Sequence, residues 1–173
     1  MGLRVMALAG CSNFRLRMYQ PDFCALNYVS AMKEPLMESK LKHLELIQGV
    51  INRMAGNSFL LKGWSVTLTS ALFALAAKDA NPFFVYLAYF PCATFWALDG
   101  YFLRQERLYR ELYEEVTGRR PNEIDFSMNA AKFEDYVDAW FSTCFSLTLR
   151  IFHGTVFGVI VLIMFIMATS GGK

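Results

Sequence analysis

This sequence has little of what most enzymes are built around. It holds two histidines, His43 and His153, about 110 positions apart, and four scattered cysteines. There is no HExxH, GxSxG, GxxxxGK(S/T) or GxGxxG after a strand, and the closing Gly171-Gly172-Lys173 precedes no helix that would make it a phosphate loop. Cys11, Cys24, Cys92 and Cys144 show neither a CxxC pair nor Cys/His ligand spacing, so reduced and chemically silent thiols are expected in place of a metal centre or a disulfide framework. With Gly at 11 of 173 and charged residues at 18%, collagen-like and disordered classes fall away. A net charge of only +2 leaves no basic field to hold nucleic acid. The expectation is a protein that is not an enzyme, with no catalytic or metal site, no cofactor and no nucleic-acid partner.

What the chain does have is apolar surface. Hydrophobic residues make up 55% and aromatics 16%, and the mean hydropathy is positive. The expected fold class is all-α: a helical integral membrane protein with a two-span hairpin, a third carboxyl-terminal span, and amphipathic and stalk helices in the cytoplasm. The first run, Phe59 to Ala77, is interrupted by one charge, Lys62, and is long enough to cross a hydrocarbon core of about 30 Å. After the turn Lys78 to Asn81 comes the second, Pro82 to Leu98, which carries no charge and reaches Leu103 if Asp99 is admitted. Pro82 suits a helix start, and Pro91 predicts a kink. The third run, Ile151 to Thr169, carries only His153. The apolar stretch leading into it is too long for one crossing, so Phe133 to Leu149 is expected as a separate interfacial helix.

Orientation follows from charge. Fifteen of the seventeen Lys and Arg lie before or at the first span or between the second and third, leaving Lys78 in the turn and Lys173 in the tail. The amino terminus and middle loop are therefore expected in the cytoplasm, with Trp64, Trp96 and Trp140 at that same interface.

Residues 1–35 show no period and are expected as a flexible extension. Leu8-Ala9-Gly10-Cys11 has the form of a lipoprotein processing site, but the apolar run before it is shorter than a signal sequence needs, and Met32 or Met37 offers a later start. Over 36–58, apolar residues at 37, 41, 44, 47, 51 and 54 form one stripe of an amphipathic helix, with His43 expected on its solvated surface. From Arg104 to Val116 the second span is expected to continue as a charged stalk. It has i,i+4 pairs at Glu106/Arg110, Arg107/Glu111 and Arg110/Glu114 and a narrow stripe of Leu108, Leu112 and Val116, and it stops at Gly118 before Pro121. Arg104, Arg107 and Arg110 are the candidate contacts for a soluble partner.

Polar residues at membrane depth are the remaining signal. Lys62 and Asp99 lie about equally far from the hairpin turn, so they meet at one level, which Arg150 and His153 approach from the third helix. These four form the candidate polar belt of a pore, against the simpler reading that the cations snorkel to headgroups and Asp99 caps a wet helix end. Gly63, Thr67 and Ala71 on the first span, and Gly154 with Gly158 on the third, are the candidate helix-packing faces.

The order of amphipathic helix, tight hairpin and charged stalk is similar to that of SLATT-type small membrane effectors of bacterial nucleotide-signalling and antiphage systems. The resemblance is carried by Lys42-His43-Leu44-Glu45-Leu46-Ile47-Gln48, Asn52-Arg53-Met54-Ala55-Gly56-Asn57-Ser58, the hairpin Phe59 to Leu103 and the stalk Arg104 to Val116. The third span departs from that two-span pattern. The resemblance implies a homo-oligomeric effector that permeabilises or depolarises the bacterial inner membrane. The alternative is a membrane anchor that recruits a soluble protein through its cytoplasmic helices.

Overall fold

A computed structural model of the chain describes residues 21–79 and 81–170. The lipoprotein-like tetrapeptide lies outside the described residues. Within them all regular structure is helical: α1 (Pro21–Asp79), α2 (Phe83–Leu87), α3 (Tyr89–Gly118), α4 (Trp140–Cys144) and α5 (Leu147–Ser170), with 3-10 turns at Pro121–Glu123 and Ala130–Phe133. Packing separates the residues up to Ser39 from a unit that begins at Lys40. In the first, Pro35 sits inside the helix and the Ser39 hydroxyl donates to its carbonyl (2.8 Å).

Helix α1 has no break at 35/36 or 58/59, where the sequence reading placed boundaries; the extension expected to be flexible is helical from Pro21. No proline follows Pro35 in α1, and isolated glycines at 49, 56 and 63 cost too little to stop a helix held by tertiary contacts. His43, Ile47 and Ile51, four residues apart, are buried on one face. Ile47 and Ile51 form a core with Leu108, Leu112 and Val116 of α3 and with Ile124 and Ala130 from the segment after it. The stalk stripe of α3 is thus spent on Leu44, Ile47 and Ile51 of α1, while Met37 and Leu41 of the expected α1 stripe stay exposed. His43, expected in solvent, is 4% exposed and meets the edge of Phe126 (centroids 5.5 Å apart), because Phe126, in the left-handed region at φ 55°, turns its ring onto α1. The Lys40 ammonium donates to the carbonyls of Thr117 (2.9 Å) and Arg119 (2.7 Å), satisfying acceptors at the end of α3.

A second core, Ala76, Val85, Ala88, Cys92 and Ile160, joins α1, the hairpin and α5. In the turn, the Asn81 side chain accepts from the Phe83 N–H (3.0 Å), and the Val85 N–H donates to the Pro82 carbonyl (3.0 Å). Helix regularity breaks at Ala88, between α2 and α3. The expected break at Pro91 is displaced by three residues, because a proline disrupts the turn before it: Pro91 has no N–H to give to the carbonyl four residues back.

The helix expected over 133–149 is not continuous. Residues 134–139 are turn and extended chain, α4 is one short helix, and regularity is lost again at Phe145–Ser146. The Trp96 indole N–H donates to the Cys144 carbonyl (2.8 Å), taking an acceptor that helix continuation would need. Helix α5 therefore starts at Leu147, and Arg150 sits in its first turn instead of marking a boundary.

Candidate functional site: a buried polar cluster

Between the two apolar cores, α1, α3 and α5 bring four polar side chains together. The Lys62 ammonium donates to Asp99 Oδ2 (2.6 Å) and to Ser58 Oγ (2.7 Å). The Ser58 hydroxyl donates to Asp99 Oδ1 (2.5 Å), and His153 Nε2 lies 2.9 Å from Asp99 Oδ2. Asp99 and His153 are fully buried and the Lys62 side chain is 20% exposed, so the cluster reaches solvent or headgroups on the lysine side alone. Ser58 and Lys62 meet because they are one turn apart on α1. With Asp99 ionised, Nε2 carries the imidazole proton as donor and Nδ1 is the bare acceptor.

Aromatic rings enclose the imidazole. Trp96 stacks on His153 (5.7 Å, 10°), Phe152 meets it edge-on (5.0 Å), and the Lys62 ammonium lies 6.0 Å from the Phe152 centroid. Trp140 Nε1–H donates to the Ala97 carbonyl (3.3 Å), tying α4 to α3 beside Asp99. At Gly100 a Cβ would overlap Cys144 Sγ and approach its Cα and Cβ to 3.3 Å, so only glycine admits α4 this closely. Burial pushes the Cys144 thiol up, and the Asp99 charge adds to this, which keeps the sulfur a protonated space-filler.

Of the expected belt, Lys62, Asp99 and His153 converge. Arg150 does not: it is exposed, at the edge of the buried line that runs through Leu149, His153 and Ile160, and its guanidinium makes no ion pair or hydrogen bond among the described residues. Gly63, Thr67, Ala71, Gly154 and Gly158 do not pack helices within the chain. All are exposed, and a Cβ at any of the three glycines meets nothing within 4 Å. The three stalk arginines are engaged internally: Arg104 Nε with the Asp138 carbonyl (3.2 Å), Arg107 with the Asp138 carboxylate (3.0 Å), and Arg110 with Glu106 (2.5 Å). Arg107 takes Asp138 over the expected Glu111, whereas the expected i,i+4 pair Glu106/Arg110 forms.

Ser58 and Gly100 were not singled out from the sequence. Ser58 carries a signal in its spacing, because Ser58, Lys62, Ser65 and Thr69 recur in steps of four, three and four and so share one helical face. Gly100 carries none, since its need arises from a contact 44 residues away.

The fold and the site define an all-helical protein in which two helices, within Glu34–Lys78 and Leu147–Thr169, are long and apolar enough to cross a membrane. Comparison with known protein families, characterised proteins and solved structures gives no match for this chain.

Proposed function

We propose that this chain is an oligomeric effector of the bacterial inner membrane, with its amino terminus in the cytoplasm, that permeabilises or depolarises the membrane in antiphage defence. The observation that carries the reading is the buried Lys62–Asp99–His153–Ser58 cluster. Placing an ion pair between apolar, membrane-length helices is costly and adds little net stability, so an element that only anchors has no use for one. A membrane protein that moves charge does. Three further features support it. Only 11% of the apolar window of α5 is buried, which leaves its surface for lipid or other copies. The small-residue faces of the first and third spans point outward with open space before them, as contacts between copies require. Positive charge is concentrated on the side assigned to the cytoplasm. The recruiting alternative has less to draw on, because Arg104 and Arg107 are bonded to Asp138, while Arg110, paired with Glu106, keeps an exposed side chain.

The test is the full chain reconstituted into phosphatidylethanolamine and phosphatidylglycerol vesicles carrying a valinomycin-set potential, read with a voltage-sensitive dye. The potential is expected to collapse, more steeply than in proportion to protein density, and Gly63→Leu is expected to restore it. A potential that holds at every density overturns the reading.

A further inference from the structure

Three buried polar atoms of the membrane helices have no partner: Ser65 Oγ, Thr69 Oγ1 and His153 Nδ1. Ser65 and His153 are fully buried and Thr69 is 4% exposed. Three threonines on these helices behave differently. Thr67, Thr155 and Thr169 donate to carbonyls three or four residues back, at 2.6–3.1 Å, as serine and threonine in apolar helices commonly do. Ser65 and Thr69 forgo that bond and keep their hydroxyls on the inner face of α1. A buried polar group left unpaired costs about 1–3 kcal/mol, and internal water is the usual means of satisfying it.

The two hydroxyls continue the face of α1 that carries Ser58 and Lys62. One turn beyond Lys62 comes Ser65 and another turn on comes Thr69, about 10 Å along the helix at 1.5 Å per residue. After Thr69 the same face closes with Leu72, Phe73 and Ala76, packed against Ile160 of α5 in the apolar core of the hairpin. His153 and Ile160, seven residues apart, lie on one buried face of α5, which carries that helix from the polar cluster to the apolar core.

We propose that the ion this protein moves is the proton, carried by waters held at Ser65, Thr69 and His153 Nδ1 and handed through the imidazole to Asp99. This rests on the depolarising function proposed above and names its permeant. The step balances as follows. A hydronium gives a proton to Nδ1, the imidazolium releases the Nε2 proton to the Asp99 carboxylate 2.9 Å away, and the resulting carboxylic acid yields it to water on the Lys62 side. Exchange of the imidazole tautomer through water, which takes the proton off Nδ1 and returns one to Nε2, resets the site. The groups facing the ring are Asp99, Trp96 and Phe152, with Lys62 and Ser58 bonded to Asp99. An alkali cation fits this line poorly. It would meet the Lys62 ammonium at the mouth and then find two hydroxyls where its coordination shell needs several oxygens, whereas a proton needs only a hydrogen-bonded chain. The apolar residues from Leu72 to Ile160 are the gate that must take up water for the path to open.

The same vesicles test this when loaded with a pH indicator and read for voltage and lumenal pH together. Collapse of the potential with lumenal acidification is expected. The Ser65→Ala/Thr69→Val double variant and His153→Gln, each close in shape to the native residue, are expected to slow acidification about tenfold. Their thermal unfolding in detergent is the control: removing unpaired hydroxyls is expected to leave the melting temperature unchanged or raised. A potential that collapses without acidification, or variants of native stability that acidify at the native rate, overturns the proton assignment and leaves depolarisation standing. A potential that never collapses overturns the function itself.

Discussion

Asp99 accepts from three side chains at once, and this makes its loss asymmetric with respect to its partners. Removing Lys62 alone leaves a buried carboxylate with only a hydroxyl and an imidazole; removing Asp99 alone strands an ammonium beside apolar rings. Either step is expected to destabilise by about 3–5 kcal/mol, the usual cost of breaking a buried pair. Replacing both with apolar residues of similar volume removes the stranded charge and leaves only the neutral Ser58 hydroxyl and His153 imidazole without their partner. Denaturant unfolding in detergent is therefore expected to find Lys62→Met/Asp99→Leu more stable than either single variant. A double variant as weak as the sum of the singles would show that the two side chains are not energetically coupled.

Among the elements, α4 is five residues long and is held at three points. Its carbonyl end is held by Trp96, its Trp140 holds Ala97, and its Cys144 lies over Gly100. Gly100→Ala pushes a methyl into the sulfur and is expected to cost about 1–3 kcal/mol, the range for overpacking a filled core. Cys144→Ala in the same chain removes the nearest clashing atom but leaves the Cα and Cβ at 3.3 Å, so it is expected to restore part of the lost melting temperature and not all of it. The breaks at Ala88 and at Phe145–Ser146 have separate causes: a proline that cannot donate in the first, and a side chain that competes for a helical acceptor in the second.

At the scale of the molecule, two apolar cores bracket one polar layer. The core of Ile47, Ile51, Leu108, Leu112 and Val116 needs only a single copy, and so does the core around Ile160. What one copy leaves unused is the outward small-residue surface. Gly158→Leu is accordingly expected to leave monomer unfolding unchanged, because a Cβ there meets open space, while shifting cross-linked species in membranes toward the single chain. Unchanged cross-linking would place the contacts between copies on another face.

Composition and period alone determined the helical class, the apolar runs, the tight turn before Pro82 and the end of the stalk at Gly118, because these depend on neighbours in sequence. Counting residues from the hairpin turn also put Lys62 level with Asp99, since antiparallel helices joined by a short loop have their register set by that loop. Tertiary structure alone decided the rest. That His153 and not Arg150 enters the cluster depends on the rotation of α5, which no local pattern sets. His43 is buried because a distant loop folds Phe126 over it, and Arg104 and Arg107 turn to Asp138 because chain that returns after Pro121 brings it beside them, whereas the Arg110–Glu106 pair was already written in its i,i+4 spacing. Gly100 matters only where α4 arrives. In each case the deciding energy is a contact between residues far apart in the chain, and that energy exists only once the helices have packed.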